Sequence, residues 1–206
     1  MRTAIILALC LAAAPAFARS IDSPSEQRAD LDRVAASLNS IHAAQGGFVQ
    51  IGPSGDVDQG TIYLDKPGRV RFEYDPPNPI LVVSDGHSIT VKNTKLNTVD
   101  HYPLLGSPLN VILGEDVSLR NNPRIVDVRH DDDNIIVDVK TNAAALRPNL
   151  SITFSGQNFE LRQWTIIDAQ GLPTTVALRE VKRVDSLPDS LFKPEESPPP
   201  VRKTQD

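Results

Sequence analysis

From Phe48 to Val184 the chain repeats one pattern: short apolar stretches with a period of two residues, cut at close intervals by turn chemistry. Successive side chains of a strand point to opposite faces, so this period is a strand's and not a helix's. Six candidate strands come first, at Phe48 to Ile51, Gly60 to Leu64, Arg69 to Asp75, Ile80 to Ser84, Ser88 to Asn93 and Asn97 to Tyr102. Five more follow, at Arg124 to His130, Ile135 to Thr141, Leu150 to Ser155, Phe159 to Asp168 and Thr174 to Val184. Asp85-Gly86 is the dipeptide a tight hairpin favours, and Lys66-Pro67-Gly68 and Asp168-Ala169-Gln170-Gly171 do similar work. About eleven consecutive antiparallel strands predict one large, strongly curved sheet or an incomplete barrel, a mostly β fold.

Two segments break the pattern. Ser23-Pro24-Ser25-Glu26 reads as an N-cap, a first-turn proline and a capping-box glutamate. Leu31, Val34, Ala35, Leu38 and Ile41 then recur at helical spacing, and Gly46-Gly47 is expected to end that helix. Later, Ser107-Pro108 followed by Leu109, Ile112 and Leu113 predicts a short apolar helix between strands. The chain's end, with three consecutive prolines and many charges, is expected to be a disordered tail over 194–206.

The first residues predict export. Arg2 precedes an apolar run from Ile5 to Ala14, and Ala16-Phe17-Ala18 fits a signal-peptidase site, with cleavage before Arg19. That run is shorter than the roughly 20 residues a membrane span needs. Cys10, the sole cysteine, lies within the leader and follows Leu9, which does not suit a lipoprotein signal. The mature chain is then without a thiol, which excludes a disulfide framework, a cysteine-held zinc and a thiol nucleophile. The 206 residues less an 18-residue leader leave 188, enough for one domain with a sizeable core over 19–193. Loss of Arg2 leaves 20 Lys and Arg against 26 Asp and Glu, a mildly acidic balance that gives no reason to expect nucleic acid.

No nucleophile elbow, zinc-protease helix, phosphate loop or dinucleotide fingerprint is present. His42, His87, His101 and His130 are scattered. The run His130-Asp131-Asp132-Asp133 is the one metal-like cluster, but four adjacent residues on a strand cannot all face one ion, and a solvated hairpin turn is expected there. No cofactor and no metal are expected, and the chain does not read as an enzyme.

The order of motifs from Gly60 to Leu113 resembles the LolA family of outer-membrane lipoprotein carriers. It runs Gly60-Thr-Ile-Tyr-Leu-Asp-Lys-Pro67, Val70-Arg-Phe-Glu-Tyr-Asp-Pro-Pro77, Ile80-Leu-Val-Val-Ser-Asp-Gly86, Val91-Lys-Asn93, and Ser107-Pro-Leu109 to Ile112-Leu113. Phe48-Val49-Gln50 and Leu191-Phe192 also match. The resemblance implies an incomplete barrel whose open side is covered by the N-terminal helix and a short lid helix. It also implies a periplasmic monomer that takes acylated lipoproteins from an inner-membrane ABC transporter and passes them to an outer-membrane receptor or to the membrane itself.

For such a role one sheet face must be apolar. Val70, Phe72 and Tyr74 share a face by parity, Ile62 and Leu64 match it on the preceding strand, and Ile89 and Val91 extend it. These seven are the expected acyl lining; the competing reading is an ordinary core packed on the first helix. Leu109, Ile112 and Leu113 are the expected lid. Lys66 stands where the family has an arginine that latches the lid, and lysine lacks the planar fork, so a weaker latch is expected. The alternatives are a LolB-like receptor, disfavoured by the missing lipobox, and an RseB-like lipoprotein-sensing domain. A periplasmic hydrolase is weaker still, with no nucleophile or metal constellation in sight.

Overall fold

The computed structural model describes residues 23–141 and 149–194. The leader, its cleavage site, Cys10 and the tail from 195 onward lie outside the described residues. Among the described residues no helix is long and apolar enough to cross a membrane.

Helix α1 (Pro24–Asn39) starts as its sequence dictates. The Ser23 hydroxyl accepts from the Glu26 N–H at 3.3 Å, and the Glu26 carboxylate accepts from the Ser23 N–H at 2.7 Å, the reciprocal bonds of a capping box. The Ser23 backbone bond, followed by its side-chain bond, holds the Glu26 carboxyl below the usual range. Leu31, Val34, Ala35 and Leu38 are buried on one face.

The end of α1 differs from expectation. Its last turn closes at Ser40, whose N–H bonds the Ala36 carbonyl at 3.0 Å, and Ile41 lies beyond it. Gly46 and Gly47 do not stop the helix; they lie inside β1 (Ala43–Ile51). A Cβ on Gly46 would sit 2.8 Å from the Val181 Cα, so the glycine serves a close crossing of strands.

The sheet continues through β2 (Val57–Asp65), β3 (Arg69–Tyr74), β4 (Ile80–Asp85), β5 (Ser88–Asn93) and β6 (Thr98–Pro103). After α2 (Pro108–Leu113) come β7 (Ile125–Asp131), β8 (Asn134–Val139), β9 (Leu150–Ser155), β10 (Leu161–Ile167) and β11 (Pro173–Val184). All pairings are antiparallel, in the order β6-β5-β4-β3-β2-β1-β11-β10-β9-β8-β7. The eleven strands therefore form one sheet that does not close, with β6 and β7 as its edges. The connection between those edges carries α2 and buries Leu104, Ile112, Leu113, Val117 and Leu119. The chain thus covers the open side with the very segment that bridges it.

A 3₁₀ turn, Asp189–Phe192, packs on the other face of β3 and β4. Phe192 is buried there beneath the Arg69 guanidinium, 5.0 Å from its ring centre, and Arg71 donates to the Leu191 carbonyl at 3.2 Å.

Candidate functional site

Strand register sorts the inner face into rows. Ile62, Phe72, Val82 and Val91 lie directly opposite one another across β2, β3, β4 and β5. Leu64, Val70, Ser84 and Ile89 form the next row. Ile62, Val70, Phe72 and Ile89 are buried, and Leu64, Tyr74 and Val91 pack against the same apolar cluster. Leu31, Val34 and Leu38 of α1 and Ile112 and Leu113 of α2 belong to that cluster too, with Leu109 packed on it. All seven lining candidates and all three lid residues therefore come together on one face, filled by the two helices.

Three members of this face were not singled out from the sequence. Val82 completes the first row and was readable from the alternation Val82, Ser84 before the Asp85-Gly86 turn. Phe48 packs edge-on against Phe72 and Tyr74, with ring centres 5.3 and 5.0 Å apart. Trp164 meets Phe72 at 6.3 Å across the barrel interior, a pairing that only the closure of β1 on β11 creates.

Tyr74 marks the end of the face. Its hydroxyl donates to the Gln50 side-chain oxygen at 2.7 Å. Burial, reinforced by the nearby Asp58 carboxylate, pushes the phenol up to about 12. The fold favours the neutral phenol, so its contribution to stability is complete below the ordinary tyrosine value near 10. It is lost as pH rises from there toward 12. Titration at 295 nm should show one of the three tyrosines ionising near 12, and Tyr74→Phe should remove that step; three ordinary titrations would contradict this burial.

Lys66 contacts α1 and not the expected lid helix. Its Nζ donates to the Leu38 carbonyl in the last turn of α1 at 3.0 Å, where a cation also suits the helix dipole. Burial lowers its pKa, with Asp116 acting the other way. The final α2 carbonyl, Leu113, is held instead by the Gly68 backbone N–H at 2.8 Å. Because the last α2 carbonyl has a backbone partner, the carrier role that the resemblance implies predicts that Lys66→Leu slows transfer of a fluorescent lipopeptide to vesicles by less than tenfold. Complete loss in a folded variant would show a stronger role, and an unchanged rate would reduce Lys66 to a structural cap.

Further polar ties fix α1 to the sheet and to the bridging segment. The buried Asp30 carboxylate lies 2.9 Å from His130 Nε2, and Gln27 Nε2 donates to the Val128 carbonyl at 3.1 Å. Asn39 accepts from the Val117 N–H at 2.9 Å and donates to its carbonyl at 3.1 Å, and Arg120 pairs with Asp32. His130 thus clamps the helix, while Asp131 to Asn134 make the β7–β8 hairpin turn with Asp132 at φ 49°. Among the described residues no group of three or more His, Cys, Asp and Glu is placed to hold a metal.

An unclosed antiparallel sheet with one apolar face under two helices defines a half-barrel fold. The family described as outer membrane lipoprotein carrier protein LolA matches residues 39–195, and the chain belongs to that family. An outer-membrane lipoprotein carrier protein from Dechloromonas aromatica is 28% identical over 138 residues, 65% of either chain, just under two thirds of its length. One from Cupriavidus pinatubonensis is 23% identical over 94% of each chain. Among solved structures, MucB overlays with a TM-score of 0.46 at 12% identity, covering 84% of this chain and 64% of that one.

Proposed function

We infer that the chain is a periplasmic carrier that binds the acyl chains of lipoproteins and delivers them to the outer membrane, as a binding protein and not a catalyst. The carrying observation is the two-row apolar face of β2 to β5, capped by α1 and α2, which cover it with side chains and take no part in its strand ladder. Exposing an acyl chain to water costs about 0.8 kcal/mol per methylene, roughly 10 kcal/mol for a long chain. Chains that replace the α1 and α2 side chains on this face regain that energy, less what it takes to displace the helices. Release needs no nucleotide, because the helices compete for the same surface. The seven lining residues, the Leu109, Ile112 and Leu113 lid and Lys66 are the groups assigned to this cycle. The implied partners are an inner-membrane releasing transporter and an outer-membrane receptor or the membrane itself.

Mass spectrometry of the protein purified from periplasm tests the reading. Co-purifying triacylated or diacylated lipoproteins are expected, together with an unacylated N-terminus at Arg19. A protein acylated at Cys10 would instead place it with membrane-anchored receptors.

A further inference from the structure

A cleft of about 630 Å³ opens beside the C-terminal end of α1, away from the β2 to β5 rows. Ser37 and Ile41 form one wall, and Ala44, Leu161 and Leu178 line it from the strands. Leu161 belongs to the same buried cluster as Trp164 and Phe72, and Leu178 packs against it. The apolar side of the cleft is therefore continuous with the apolar interior.

Two strand bulges converge on this place. The β1–β11 register shifts between Gln45 and Gly47, and the β10–β9 register shifts between Leu161 and Gln163. Glu180, inside β11 and on the cleft, has φ 48°, a left-handed conformation that side-chain-bearing residues rarely take in a strand. Bulges bend strands and redirect side chains, and such strain gathers at ligand sites. Here they turn Glu180 and Arg183 onto the rim of the cleft. Among the described residues neither makes a salt bridge, so both charges face water or a ligand.

We propose that this cleft is the mouth through which an acyl chain reaches the interior, leaving its polar head at the charged rim by Arg183. The inference rests on the carrier reading and adds the route of loading. The volume lies within the roughly 300–1,000 Å³ typical of small-molecule sites. An apolar side that reaches the core, beside a charged side made by Glu160, Arg162, Glu180 and Arg183, suits a molecule that is apolar at one end and polar at the other.

Stopped-flow uptake of a fluorescent long-chain fatty acid and of an uncharged triacylated lipopeptide tests the route. Ser37→Trp and Ile41→Trp each place a bulky ring in the mouth and should slow uptake of both probes at least tenfold, with unchanged circular dichroism. Val57→Trp, at an exposed position at the start of β2, should load at the wild-type rate. Arg183→Glu should weaken the anionic probe several-fold and leave the uncharged one unaffected. Wild-type rates in whichever plugged variant folds would overturn the mouth, and an unaltered anionic probe in Arg183→Glu would overturn the rim's role. A wild-type protein that takes up neither probe would overturn the carrier reading and the mouth together.

Discussion

Phe72→Glu should abolish binding of an acylated probe and lower the melting temperature sharply. Phe72 is 6% exposed, central in its row, and wedged between the rings of Phe48 and Trp164. Removing the ring alone typically costs about 3–5 kcal/mol. An unpaired carboxylate in its place costs several kcal/mol more or takes up a proton. The parity control is the neighbouring Arg71, on the opposite face. Arg71 pairs with Glu73 at 2.6 Å and holds the Leu191 carbonyl, so a reversed charge there would also unseat the Asp189–Phe192 turn. Arg71→Gln is the sounder control and should bind probe nearly normally. Because Phe72→Glu also strains the fold, Val91→Asp, at a half-buried place in the same row, supplies a milder charge. It should stay folded by circular dichroism and still lose most probe binding. A folded, fully binding Phe72→Glu or Val91→Asp protein would refute the inner-face assignment.

Gly60→Ala should be among the most damaging single-methyl changes in the chain. A Cβ on Gly60 would lie 2.0 Å from the Glu73 carbonyl oxygen and 2.9 Å from the Phe48 ring. The first neighbour is backbone of the paired strand and cannot step aside without breaking the β2–β3 ladder. Overpacking of this kind costs about 1–3 kcal/mol and more where backbone must shift, so a loss of about 3 kcal/mol is expected. Gly55→Ala separates collision from conformational preference. Gly55 has φ 83° but nothing within 4 Å of the added Cβ, so it should lose only about 1 kcal/mol. Urea unfolding of the two variants checks the pair; equal losses would show that the Gly60 contact relaxes freely.

The sheet was legible because the two-residue period and the turn residues are local signals. Asp85 is an example: its carboxylate accepts the His87 and Ser88 N–H groups at 2.8 Å each, which makes the hairpin turn in the way its sequence foretells. The capping box of α1 was legible for the same reason. Gly46-Gly47 was not, since glycine ends helices and also admits close strand crossings, and only the approach of Val181 decides between them. The apolar rows were visible by parity on consecutive strands, but Trp164 joins them through β1–β11 pairing, between strands far apart in sequence. Lys66 stands out beside its proline in the sequence, yet its partner, the Leu38 carbonyl, depends on how α1 crosses the sheet, which no local pattern records.

The central claim is that acyl chains occupy the inner face of β2 to β5. Its most direct test is photocrosslinking with a lipopeptide bearing a diazirine near the end of one acyl chain, followed by peptide mapping. Adducts are expected on the segments holding Ile62 and Leu64, Val70 to Tyr74, and Ile89 to Val91, and they should be competed away by unlabelled lipopeptide. Adducts confined to outward residues of those strands, such as Tyr63 and Thr90, or no competed adduct at all, would contradict the account.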